Sequence, residues 1–187
     1  MLLEIRCVIG LGANLGNGIA AFESAVTLLA RLGRIAAISN LYETAAMGGP
    51  AQPDYFNAAV LLCTSLSPKA VLDEMLDIEL RHGRVRTLRW GPRQLDLDLL
   101  WIEGVRVDEP GLQVPHPRLT ERGFALLPLL DVAPSAREPS SDRDYAGMRK
   151  DVQEQGIRIR GIARPWTDDW LAESPSRSLW QIADLGL

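Results

Sequence analysis

Apolar positions along this chain alternate between two periods. Residues 4–10 read as a first strand, and the GLGANLGNG that follows reads as a loop of small residues. Phe22, Val26 and Leu29 then recur at helical spacing within residues 19–32, and Gly33 is the stop. Residues 35–42 and 55–64 read as strands, parted by TAAMGGPAQPD, whose Gly and Pro content forbids a continued strand. Ser67-Pro68 is a helix start, a capping hydroxyl with proline at the first helical position; Val71, Met75 and Ile78 carry an apolar face on to Gly83. Residues 95–102 form the next strand, Glu103-Gly104 a turn and 105–107 its return partner. After the irregular Val114-Pro115-His116-Pro117, residues 124–130 read as a short helix ending near Pro134.

Strand, helix, strand, strand, helix, strand is the β-α-β-β-α-β order of a ferredoxin-like fold. It predicts an α+β protein: an antiparallel sheet flanked by helices, in a three-layer α/β/α sandwich. Beyond Ala133 the chain turns polar and rich in Pro, Ser and Arg, with residues 155–162 a candidate terminal strand. A main domain over 1–162 is expected, with 163–187 an extension that packs through Trp166, Trp170 and Trp180.

Composition narrows the function classes. With 187 residues, 47% hydrophobic and 24% charged, the chain is sized for one globular domain with a core of its own. A formal charge of -4 argues against a surface built wholly for nucleic acid or anionic lipid, so any basic function is local. Cys7 and Cys63 fall in apolar runs and read as reduced core residues. No stretch of 18 consecutive apolar residues occurs, and Glu4 and Arg6 interrupt the first apolar run, so neither a membrane span nor a signal peptide is expected. A cytoplasmic monomer with no nucleic-acid or membrane partner is the expectation.

The densest chemistry lies in residues 84–101, RVRTLRWGPRQLDLDLLW. Asp96 and Asp98, two apart on a strand, project from one face. Beside Arg84, Arg86, Arg89 and Arg93 they combine oxygen ligands for a hard cation with donors for phosphate, as a magnesium-polyphosphate substrate requires. An ordinary half-exposed strand gives the same LDLDLL alternation, although like charges so placed need solvent or cations beside them. Glu79 reads as an exposed helical glutamate. Tyr55 and Asn57 share a face, where a ring can stack on a flat heterocycle while an amide reads its edge; core packing and a strand-end cap are the alternatives. His116, held between prolines, either makes a structural hydrogen bond or contacts phosphate, and neither histidine has a partner at zinc-ligand spacing. An RNA module would need exposed paired aromatics that this sequence lacks. GLGANLG misses the dinucleotide fingerprint spacing and reads as a tight strand-to-helix turn.

Together GLGANLG, LYET, QPDYFNAAV, ELRHGRVRTLRWGPRQLDLDLLW and VPHPRLTERGFALLPLLDVAP resemble, in order and from Ile5 to Pro134, the 6-hydroxymethyl-7,8-dihydropterin pyrophosphokinases of folate biosynthesis. The resemblance implies a ferredoxin-like enzyme that moves the β,γ-diphosphate of ATP onto the hydroxymethyl group of the dihydropterin and releases AMP. It implies that Asp96 and Asp98 bind two magnesium ions, and that Arg84, Arg93 and His116 hold ATP phosphates with Arg86 and Arg122 nearby. Glu79 and Leu99 would belong to the nucleotide site. On the pterin side it implies Thr44, Tyr55, Asn57 and Phe124, the ring sandwiched by Tyr55 and Phe124, with Trp90 on a loop that closes. Closure of residues 84–91 and 45–51 would exclude water. No side chain presents itself as a dedicated base, and a hydroxyl pKa lowered by magnesium accounts for its deprotonation.

The sequence also departs from the family pattern. Thr44-Ala45-Ala46 stands where the family commonly has Thr-Pro-Pro, which frees the backbone of that loop. Gly111 and Gln113 stand where some relatives use a larger basic residue and a threonine near the nucleotide, and the segment after Ala163 has no family counterpart.

Overall fold

Strand β1 (Ile5–Ala13) occupies the interior of the sheet and sets the geometry of everything around it. The structure, a computed structural model, describes residues 4–46, 51–83, 92–152, 155–167 and 178–182. β1 is followed by α1 (Gly18–Leu29), β2 (Arg34–Ile38), β3 (Leu41–Thr44), β4 (Tyr55–Thr64) and α2 (Pro68–Arg81). Then come β5 (Asp96–Ile102), the small hairpin β6 (Val107–Glu109) and β7 (Leu112–Val114), and α3 (Gly123–Val132). A short α4 (Arg149–Val152), β8 (Arg158–Ala163) and β9 (Trp180–Ile182) complete the described elements.

The helices start where local chemistry permits. The Asn17 side chain accepts from the Ala20 amide at 3.1 Å and caps α1; Ser67 does the same for α2 through Ala70 at 3.2 Å, with Pro68 following. Such caps each contribute about 1 kcal/mol. α1 buries Phe22, Ala25, Val26 and Leu29, and α2 buries Val71, Met75 and Ile78, so both press one apolar stripe onto the same face of the sheet.

The main sheet runs β5-β1-β4-β3-β8-β9, with β2 also on β4, and every pairing is antiparallel. Cys7, Ile9 and Leu11 face α1 and α2, whereas Val8, Ala59 and Leu61 face α3. The expected ferredoxin-like three-layer sandwich is therefore present. One β-bulge shapes the site: opposite Val8 and Ile9, β5 advances from Leu99 to Trp101. Leu100 and Trp101 thereby both join the α3-side core, while Leu99 and Ile102 join the other.

Several expected boundaries shift for identifiable reasons. β1 does not stop at Gly10 but continues to Ala13, because Gly10 and Gly12 are paired on both sides, by β4 and β5; the turn is left to residues 14–17. A Cβ on Gly10 would come within 3.0 Å of Leu100 Cδ1. The single strand expected over 35–42 is broken at Ser39, whose hydroxyl accepts from the Ala59 amide at 2.8 Å and donates to the Asn40 carbonyl at 2.7 Å. That substitution in the ladder separates β2 from β3. Val105 makes only a single bridge to Ile102; the true hairpin is β6-β7, turning at Gly111 with φ +84°.

Residues 178–182 are more than a covering. Trp180 is 1% exposed, meets the Phe22 ring edge-on at 6.0 Å and donates from Nε1 to the Ser39 carbonyl at 2.8 Å. Glu23 on α1 accepts from Ser178 Oγ at 2.6 Å and Leu179 N at 3.0 Å. The division expected between 162 and 163 falls inside β8, and β9 extends the same sheet. Trp166 packs partly buried against that core, and Trp170 lies outside the described residues.

Candidate active site

The α3-side face of β1, β4 and β5 opens into a cleft of about 380 Å³. Its floor follows from strand register: Gly10 pairs with Asp98 and Gly12 with Asp96, so the two carboxylates stand beside positions that carry no side chain. Both carboxylates line the cleft, as the alternation of a strand requires. The structure thus resolves the sequence ambiguity in favour of a shared, half-enclosed acidic pair rather than an ordinary outer strand face.

Cationic groups surround that pair. Arg93 donates to Asp96 Oδ1 at 2.5 Å, and His116, Arg118 and Arg122 line the same cleft. His116 is carried by the strand it serves: its amide donates to the Leu100 carbonyl at 2.8 Å, continuing from the bulge. Its Nδ1 accepts from the Arg118 amide at 3.1 Å, which leaves the ring proton of the neutral form on Nε2.

The electrostatics are unbalanced. Burial pushes the Asp98 carboxyl above its ordinary value, and the neighbouring Asp96 adds to the rise against the pull of His116, Arg122 and Arg93. Burial lowers His116 in spite of Asp98. Burial and the nearby Arg118 lower Arg122. For Arg93 burial works against the charge, but the contact with Asp96 outweighs it and the value rises.

A second group of side chains closes the other half of the cleft. Thr44 and Tyr55 pair across β3 and β4, and Asn57 lies two positions further on the same face. Asn57 Nδ2 donates to Thr44 Oγ1 at 2.9 Å; both residues are buried. The Tyr55 hydroxyl donates to Gln52 Oε1 at 3.3 Å. Phe124 opens α3, and the Arg122 guanidinium carbon lies 5.6 Å from its ring centroid. An amide, a hydroxyl and two rings around one opening suit a flat heterocycle with polar edges.

Not every expected residue lines the cleft. Glu79, read from sequence as exposed, is fully buried and accepts from the Leu97 amide at 2.8 Å, fastening α2 to the back of β5. The Leu99 side chain points into the opposite core with Leu97. Arg84, Arg86, Arg89 and Trp90 lie outside the described residues, as do residues 47–50 of the first loop. The pattern reading missed Asn14 and Gln52, whose hydrogen bonds reach across the cleft margin; the Gly-Ala-Asn at the end of β1 was the available signal.

The donor set fits magnesium. It consists of carboxylate oxygens on one face, that of Asp98 held above its ordinary pKa by burial and by the neighbouring Asp96. Among the described residues no group of three His, Cys, Asp or Glu side chains is arranged to hold a metal. Magnesium characteristically takes one or two carboxylates and completes its shell with water and substrate phosphates, so a partial protein set is the right kind.

An acidic pair for a hard cation, set among arginines and a histidine beside an aromatic-amide slot, defines a phosphate-handling transferase on a ferredoxin-like scaffold. The family model for 7,8-dihydro-6-hydroxymethylpterin-pyrophosphokinase (HPPK) matches residues 8–134. A 2-amino-4-hydroxy-6-hydroxymethyldihydropteridine pyrophosphokinase of Pseudomonas aeruginosa is 42% identical over 136 residues, 72% of this chain and 84% of that protein. One from Synechocystis is 40% identical over 138 residues, 73% of this chain and 70% of that protein. The crystal structure of Plasmodium falciparum HPPK-DHPS wild type superposes with a TM-score of 0.67 at 14% identity; it covers 87% of this chain, which spans 49% of that longer one, and the likeness is one of fold. The chain belongs to the 7,8-dihydro-6-hydroxymethylpterin-pyrophosphokinase family and is a transferase of diphosphate groups.

Proposed function

We propose that this chain transfers the β,γ-diphosphate of ATP to the hydroxymethyl group of 6-hydroxymethyl-7,8-dihydropterin in folate biosynthesis. The hydroxymethyl oxygen attacks the β-phosphorus, the bond from that phosphorus to the α,β-bridging oxygen breaks, AMP leaves with the electron pair, and the hydroxyl proton passes to solvent. The observation that carries this reading is the meeting, in one cleft, of the Asp96–Asp98 pair with Tyr55, Asn57 and Phe124.

Asp96 and Asp98 would hold two magnesium ions, supplying charge neutralisation for the polyphosphate and acidification of the attacking hydroxyl. Arg93, His116 and Arg122 bind phosphate oxygens and offset the charge that spreads over them in the transition state. Neutral His116 serves as a donor through Nε2, consistent with its lowered pKa. Asn57, braced by Thr44, reads the amide edge of the pterin, with Tyr55 and Phe124 on its faces. Glu79 acts through β5, keeping the strand that bears both aspartates in register.

The test is product identity. Purified protein given ATP, magnesium and hydroxymethyldihydropterin should release AMP in step with pterin consumed. Release of ADP would mean transfer of a single phosphoryl group and would overturn the proposed reaction.

A further inference from the structure

Asn14 follows the end of β1, is 8% exposed and does not line the cleft, yet it bonds to segments on both sides of it. Its side-chain oxygen accepts from the Arg93 amide at 2.8 Å, and its own amide donates to the Arg93 carbonyl at 3.0 Å. Leu15 adds a second donor to that carbonyl at 3.1 Å. The backbone of Arg93 is therefore gripped at both polar atoms, three residues before Asp96, to which its guanidinium is bonded. On the other side Asn14 Nδ2 donates to Gln52 Oε1 at 2.9 Å and to the Pro53 carbonyl at 3.1 Å. Gln52 Oε1 also receives the Tyr55 hydroxyl.

We infer that Asn14 is a positioning residue that fixes the phosphate half and the aromatic half of the cleft to each other through the Arg93 backbone and the Gln52–Pro53 segment. A primary amide is the side chain suited to this: one oxygen accepts and one nitrogen donates twice, from a single planar group. Aspartate would keep the side-chain acceptor and lose both side-chain donors; alanine would lose all three side-chain bonds and keep only the backbone bond to the Arg93 carbonyl. The partners lie 38, 39 and 79 residues away in sequence, so the link closes long loops that nothing local would hold. In-line transfer between two bound substrates tolerates little relative displacement, which makes such a brace consequential without any contact to either ligand.

The assignment of ligands to the halves rests on the function proposed above; the brace itself does not. Backbone amide exchange therefore reads it first, in the free protein. Asn14→Ala should speed exchange of the Arg93 amide at least tenfold, whereas Asn14→Asp, which retains the acceptor, should leave it within about threefold of wild type. Equal protection in all three proteins would overturn the inference whether or not any ligand binds. Next, dissociation constants for a non-hydrolysable ATP analogue with magnesium and for the hydroxymethylpterin are measured separately. Asn14→Ala should weaken both by about tenfold, while Asn14→Asp and Gln52→Ala should weaken the pterin alone, and Gln52→Glu, still an acceptor, should restore it. The Asn14→Ala/Gln52→Ala double variant should bind pterin no more than about twofold worse than Asn14→Ala. Multiplying losses, or loss of only one ligand with Asn14→Ala, would overturn the inference. Should Asn14→Ala fail to fold, the Asn14→Asp and Gln52 variants carry the same decision: unchanged pterin affinity in both would contradict it. Wild-type protein that binds no pterin would sink the functional reading, and the exchange result would still stand or fall by itself.

Discussion

On the β5 side of the cleft the polar groups are in tension, whereas on the β3–β4 side they are matched. Asp98 is held above its ordinary pKa by burial and by Asp96, while burial lowers His116 and Arg122. Across the opening, Asn57 bonds Thr44 and Tyr55 bonds Gln52 without any formal charge. The first half carries charged groups that burial disfavours; the second has neutral side chains already bonded to one another. Under the proposed function, a polyphosphate with magnesium would relieve that tension, and its binding would draw on the relief. A planar heterocycle instead gains from a slot whose geometry is already fixed, with little ordering cost.

That contrast can be broken most severely at the acidic pair. Asp98→Ala or Asp96→Ala should lower turnover by at least about 10³-fold, roughly 4 kcal/mol of transition-state stabilisation, with the fold retained by circular dichroism. Near-normal turnover in saturating ATP and magnesium would remove the metal assignment. A smaller loss is expected from Arg93→Lys, which keeps the charge but not the planar fork bonded to Asp96: about 10- to 100-fold in kcat/KM. An unchanged value would show that only the net charge of that half matters.

The smallest effect runs in the opposite direction. Between the ordinary aspartate value of 3.8 and the raised value of Asp98, the folded state keeps a proton that the unfolded state has lost. Stability therefore falls as pH rises through that window, and the deficit persists at neutral pH. Asp98→Asn should raise the Tm of the ligand-free protein at neutral pH. The gain should vanish below the ordinary aspartate pKa. A lower Tm at neutral pH would mean that the charged form of Asp98 is already satisfied without a ligand.

The same contrast explains what could be read from the chain. Asp96 with Asp98, and Tyr55 with Asn57, were legible because strand alternation alone decides that each pair shares a face. The α2 cap was legible because Ser67 bonds an amide only three residues away. What escaped pattern reading depends on distant partners. Glu79 becomes a buried acceptor only because the Leu97 amide, 18 residues on, is brought against α2. Ser39 breaks a strand only because Ala59 is its neighbour in the sheet. That Trp180 packs was expected, but its partners, Phe22 and the Ser39 carbonyl 141 residues back, were not. Asn14 looked like a turn residue, since its meaning lies in Arg93 and Gln52.

The division of labour between the halves is tested most directly by titrating Asn57→Ala, in a single preparation, with the hydroxymethylpterin and then with a magnesium-bound ATP analogue. Loss of the amide that Thr44 braces should weaken the pterin by about tenfold or more and leave the nucleotide within about twofold. Equal losses of both ligands would contradict the account, because Asn57 would then support the cleft as a whole rather than read one substrate.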